Sequence, residues 1–148
     1  YYLNGHATDL EEECTRYTSL LSQFPTDIVC LGIGENGHIA FNDPDVANFN
    51  DHKLVKIVKL DHVCRQQQVN EKCFETLEQV PTEALTLTIP ALLKAKWMFC
   101  IVPFKNKAQA VYRTIHGDIS EKCPASILRR KEKSSLYLDT ESAQLLNL

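Results

Sequence analysis

Scarcity narrows the class of this 148-residue chain. No apolar run approaches the about 20 residues that cross a bilayer; the longest lie around Ile28–Ile33 and Trp97–Phe104. No basic stretch precedes an apolar one at the start, so no secretory leader is expected. Five glycines and six prolines are too few for a collagen-like chain or a low-complexity linker. The six cysteines, at 14, 30, 64, 73, 100 and 123, include no CxxC pair, the unit of zinc and thioredoxin-like sites. Cys30 and Cys100 sit in apolar runs, where a thiol behaves as a small core hydrophobe. Free thiols and a reducing, cytoplasmic compartment are therefore expected. No membrane association is expected.

Charge of one sign is also lacking, with a net charge of −3, which does not suit a nucleic-acid partner. The distribution is uneven. Residues 1–51 hold nine acids and one base, Arg16, whereas residues 52–148 hold ten acids and fifteen bases. Solvated helix faces account for most of this; a sharper reading has some of the later lysines meeting an anion. The short run Arg129-Arg-Lys-Glu-Lys133 reads as a solvated turn. His6, His52, His62 and His116 show no metal-ligand spacing.

What is present is an average globular composition, 44% hydrophobic and 24% charged, at the length of one domain. Thr8-Asp-Leu-Glu11 has the form of a capping box ahead of a helix over 9–23. Asp27-Ile-Val-Cys-Leu-Gly-Ile33 reads as a buried strand. A glycine-containing loop runs from Gly32 to about Asp51, then a strand over Leu54–Leu60 and a weaker helical stretch near 62–74. Ala84–Ile89 alternates as a strand does, and Pro90 opens a short helix. Trp97–Val102 is a further strand, and Lys107–His116 a helix ended by Gly117. Ser135–Leu138 is a last strand, with Thr140 capping a terminal helix. Strands alternating with helices predict an α/β fold over 1–148, a largely parallel sheet covered on both faces.

Gly32-Ile-Gly34-Glu-Asn-Gly37 follows a strand and matches GxGxxG, which raises a dinucleotide site with Asp61 near the ribose-binding distance. That motif needs a helix opening at its last glycine to hold the pyrophosphate. His38-Ile-Ala-Phe-Asn-Asp-Pro-Asp45 cannot supply one. The segment fits better as a ligand site at the carboxyl end of a strand, where the glycines let backbone and ligand approach closely. His38 would exchange protons near neutral pH, Asp43 would fix its tautomer, and Asn36 would orient a hydroxyl or the imidazole.

Leu31-Gly-Ile-Gly-Glu-Asn-Gly-His-Ile-Ala-Phe-Asn-Asp-Pro44 resembles the active-site loop of glucosamine-6-phosphate deaminases. Val80–Thr86, Ile119–Ser126 and Leu3-Asn-Gly5 resemble other segments of that family, so the likeness runs over nearly all of the chain. The related 6-phosphogluconolactonases share the glycines and histidine but continue differently after them. The resemblance implies a Rossmann-like fold of the sugar-phosphate isomerase type, a sugar-phosphate substrate and no metal or redox cofactor; it leaves a homo-oligomer open. It gives His38 the acid/base role in opening the sugar ring, with Asn36 and Asp43, the latter standing where the family usually has Glu. Gly32 and Gly34 would border the substrate, and Lys107 would bind its phosphate. Lysines at the start of a helix suit that role, since dipole and ammonium both favour an anion. Lys72 matches a second phosphate ligand, an arginine in the family. The family's Ser-Gly-Gly phosphate loop and its proton-shuttling aspartate are not found. The chain opens at Tyr1, so the C-terminal portion of a longer sequence is expected. Two other readings stay open: a lactonase-like hydrolase, and a non-catalytic sugar-phosphate-binding module.

Overall fold

Asp9, not Thr8, caps the first helix, α1 (Leu10–Gln23): its carboxylate accepts from the Glu12 N–H at 2.9 Å. Three glutamates then fill the first turn, where the helix dipole favours negative charge. The structure, a computed structural model, describes residues 1–147. After α1 come β1 (Ile28–Leu31), β2 (Val55–Lys59), α2 (His62–Asn70), β3 (Glu83–Leu87), α3 (Ile89–Leu93), β4 (Trp97–Val102), α4 (Ala108–His116) and β5 (Ser134–Leu138). Short 3₁₀ segments lie at Leu77–Gln79, Lys105–Lys107 and Pro124–Arg130.

β1, β4 and β5 form a parallel sheet in the order β1-β4-β5, with Cys30 opposite Phe99 and Cys100 opposite Leu136. β2 and β3 stand apart as an antiparallel pair, Ile57 opposite Leu85. The alternation in sequence predicts a largely parallel arrangement for all five strands. This pair departs from it because the connection through α2 turns back instead of crossing over, a path that the residue pattern leaves open.

Side chains alternate across β4. Met98, Cys100 and Val102 are at most 1% exposed, while Trp97 and Ile101 are 42% and 49% exposed. The buried side joins Ile89 and Leu92 of α3, Ala110 and Val111 of α4, and Ile127 and Leu128. The other side, with Ile28, Trp97, Ile101 and Tyr137, is open among the described residues. Helical cover is thus seen on one face of the sheet.

Two sequence expectations near the end of the chain do not hold. Residues 140–145 form turns in place of a helix capped by Thr140. Asp139 is the residue that organises them, accepting from the Ser142 N–H at 2.7 Å and, across the fold, from the Phe104 N–H at 2.9 Å. The 129–133 run is more than a solvated turn. Arg129 donates to the carbonyls of Ile115 and Gly117, and Lys131 to that of Leu93 at 3.0 Å, so both tie off helix ends. α4 does end at Gly117, but in extended backbone. Glycine is needed there because a Cβ would come within 2.6 Å of the Arg113 carbonyl.

Candidate active site

β1 delivers the chain to Gly32 at the carboxyl end of the parallel sheet, where open α/β sheets bind ligands. No helix follows; residues 32–54 are loop and turn. The loop closes on itself, Gly37 N–H donating to the Gly34 carbonyl at 2.9 Å and Gly34 N–H to the His38 carbonyl at 3.0 Å. A Cβ at position 34 would lie 2.2–2.4 Å from the His38 ring. Gly34 is therefore the floor on which the imidazole rests. Gly37 has φ +92°, a left-handed conformation that glycine adopts without strain. The loop is pinned to β3 by the fully buried Asn42, which donates to the Ile39 and Leu87 carbonyls at 3.0 and 2.9 Å.

These constraints bring together the three residues that sequence selects. His38 Nδ1 lies 2.9 Å from Asp43 Oδ1, a contact short in distance though off the ideal N–H line. Aspartate reaches the imidazole despite being one methylene shorter than glutamate. Asn36 donates from Nδ2 to Asp43 Oδ1 at 2.9 Å, and its Oδ1 accepts the His38 backbone N–H at 3.0 Å. Burial by itself would raise the Asp43 carboxyl. Hydrogen bonds from His38 and Asn36, the His38 charge and the Asp61 N–H outweigh it and hold the carboxyl below its usual value. With Nδ1 turned to Asp43, Nε2 is the imidazole nitrogen left to serve a ligand.

His38 lines a cavity of about 390 Å³ together with Gly32, Gly34, Gln67, Glu71 and Lys107. Lys107 is buried at the N-cap of α4, and its Nζ lies 3.4 Å from Glu71 Oε1. Glu71 in turn accepts from Gln67 Nε2 at 2.8 Å, and Gln67 Oε1 accepts from the Glu35 N–H at 3.2 Å. Lys105 is exposed and lies outside the cavity lining. Lys72 is exposed too; it lines a separate cavity with Val69, Cys73, Phe74, Glu75 and Gln79, so the structure does not place it beside Lys107. Sequence reasoning missed Gln67 and Glu71, although their i, i+4 spacing along α2 was the available signal. It also missed Ala40 and Phe104, which line the cavity at φ +50° and +79°. Such backbone costs of order 1–3 kcal/mol and clusters at binding sites.

His38, Asp43 and Cys64 bring three buried donor atoms within 4.8 Å of one another. Those atoms are already committed. Asp43 Oδ1 serves His38 and Asn36, and burial, with Asp43, Asp61 and Glu71 nearby, pushes the Cys64 thiol up to about 12. The grouping works as a hydrogen-bonded core behind the imidazole. All six cysteines are free thiols.

The sequence pattern of the glucosamine-6-phosphate isomerases/6-phosphogluconolactonase family matches residues 1–137. The chain belongs to this family. Among curated relatives, the glucosamine-6-phosphate deaminase of Bacillus cytotoxicus is 42% identical over 145 residues, covering 98% of this chain and 53% of the relative. That of Listeria monocytogenes is 42% identical over 143 residues, covering 97% of this chain and 59% of the relative. The chain thus spans about half the length of the curated relatives it matches. A solved monomeric glucosamine-6-phosphate deaminase superposes with a TM-score of 0.90 at 39% identity, covering 98% of this chain and 58% of that one. A 6-phosphogluconolactonase from Trypanosoma cruzi, at 18% identity and a TM-score of 0.68, shares the family fold. Among the described residues, no helix is long and apolar enough to cross a membrane.

Proposed function

We propose that these residues form part of an amino-sugar-phosphate deaminase that converts glucosamine 6-phosphate and water to fructose 6-phosphate and ammonia. The observation that carries this reading is one cavity holding two chemistries: an imidazole backed by a carboxylate, and a buried lysine at a helix N-terminus. The lysine and the helix dipole suit a phosphate. His38 Nε2 suits proton exchange with the ring oxygen of a pyranose, and Asp43 stabilises the imidazolium that forms. Asn36 keeps Asp43 turned toward His38. Identity to proteins named as deaminases, well above that to the lactonases, supports the same choice.

Aldose-to-ketose conversion also needs a carboxylate that moves a proton from C2 to C1. Among the described residues Glu71 is the one carboxylate lining the cavity, and it lies at the Lys107 end, beside the ammonium and Gln67. We therefore assign the transfer to a residue outside this chain. The substrate's hexosamine, a cytoplasmic location and any homo-oligomer stay with this proposal.

The test is an ammonia-release assay on glucosamine 6-phosphate beside a hydrolysis assay on 6-phosphogluconolactone, using the protein at its natural full length. Ammonia release with background lactone hydrolysis is expected. Clear lactonase turnover without ammonia would establish the hydrolase reading, and binding without either turnover the non-catalytic one. Residues 1–148 alone should release no ammonia above background; turnover equal to the full-length protein's would place the proton-transfer base within them.

A further inference from the structure

Asp61 has no part in the reaction outlined above, yet three contacts converge on it from two elements. One carboxylate oxygen accepts the Cys64 N–H at 2.5 Å and so caps α2. The other accepts from Asn36 Nδ2 at 3.0 Å. Its own N–H points to Asp43 Oδ2 at 3.5 Å. Because Asn36 Nδ2 also donates to Asp43 Oδ1 at 2.9 Å, the two amide hydrogens are divided between two carboxylates. The Asn36 carbonyl oxygen meanwhile takes the His38 N–H.

We propose that Asp61 is a positioning residue for the His38–Asp43 pair, acting through Asn36. This rests on the deaminase reading. A side-chain amide can turn over and exchange its oxygen for its nitrogen. With two acceptors on one side and one donor on the other, only one orientation of Asn36 is satisfied. Without Asp61, one amide hydrogen loses its partner in a half-buried site, and such a loss is costly. If the amide turned over, its carbonyl would face the Asp43 carboxylate. The order runs from the cap of α2 through Asp61, Asn36 and Asp43 to His38. It also couples α2, which carries Gln67 and ends at Glu71, to the His38 end of the cavity. The charged or titratable groups facing the pair are Asp61 and the Cys64 thiol, both at the start of α2.

Asp61→Asn isolates the effect. Asparagine keeps the cap, since Asn and Asp serve equally at that position, but it sets one amide NH₂ against another. No turn of Asn36 relieves this, because the alternative faces its nitrogen to the His38 N–H. Asp61→Ser also keeps a cap but removes the opposed donor. In the full-length protein, D61N is expected to lower kcat about tenfold, with KM within about twofold and Tm down by a few degrees; D61S should lose less kcat. The His38 imidazole ¹⁵N resonances should shift in D61N. N36D alone would place three carboxylates together, whereas N36D/D61N restores a donor and an acceptor at the bridge. The double variant should exceed N36D by about tenfold in kcat, most clearly at low pH, where the introduced carboxylate can share a proton with Asp43.

Native kcat in D61N together with unmoved His38 resonances would overturn the proposal, as would simple additivity in the double variant. A wild-type protein that releases no ammonia would remove the deaminase reading. The imidazole resonances would still decide whether Asp61 positions His38.

Discussion

At the His38 end of the cavity, contacts of 3.0 Å or less hold the imidazole, Asp43 and Asn36 in one arrangement. At the Lys107 end, a buried ammonium has one polar partner among the described residues, a Glu71 carboxylate 3.4 Å away whose side chain is 43% exposed. Under the proposed function the two ends have opposite tasks. A group that exchanges a proton must keep its orientation while its charge changes, and interlocking hydrogen bonds provide that. A group that receives an anion must be free to exchange partners, and a solvated carboxylate at a long distance is easily displaced.

Breaking the locked end should have the largest effect. His38→Gln in the full-length protein is expected to lower kcat by about 10²–10⁴-fold, the range for a positioned acid–base group. Steady-state ammonia release checks this, and a loss confined to KM would show that His38 only binds. Gly34→Ala attacks the same end without touching a polar atom, since its methyl would occupy the space of the His38 ring. A displacement of about 1 Å can cost about 10²-fold, so a fall in kcat of that order is expected, with Tm lower by a few degrees from the crowding.

The loose end should respond in binding. Lys107→Ala removes a charge-assisted contact of about 1.5–3 kcal/mol, so kcat/KM for the phosphorylated sugar should fall about 10–150-fold. Unphosphorylated glucosamine should show no matching loss; an equal loss with both would make Lys107 a structural residue. Glu71→Gln should have the smallest effect and the opposite sign. It keeps the bond with Gln67 yet removes the charge that competes for Lys107, so phosphate should bind a few-fold more tightly by calorimetry. Weaker phosphate binding in that variant would show that Glu71 holds Lys107 in place for the ligand.

How far each end could be read in advance differs in the same way. The locked end lies within eight residues, Asn36 to Asp43, so its chemistry is written in one local segment of sequence. The loose end is assembled from β4, α2 and α4. Lys107 was legible through the family resemblance, supported by the unfavourable place of a lysine at a helix start unless an anion meets it. Glu71 was not, because only the packing of α2 against the loop sets it opposite Lys107. Lys72 shows the reverse error: its neighbour Glu71 faces the cavity, while Lys72 itself has left-handed backbone at φ +60° and lines another cavity. No spacing rule gives that direction.

The sequence by itself determined the α/β class, most element positions and the loop that carries Asn36, His38 and Asp43. Periodicity, caps and glycines act over a few residues, and the family likeness lies in contiguous segments. Tertiary structure alone decided that β2 and β3 pair antiparallel, away from the parallel sheet, and that α2 brings Gln67 and Glu71 to the cavity. It also decided that Asp139 reaches across to Phe104 instead of leaving Thr140 to start a helix. Each of these joins residues far apart in the chain. The free energy that selects them comes from burial and hydrogen bonding across the fold, which no short stretch of sequence contains.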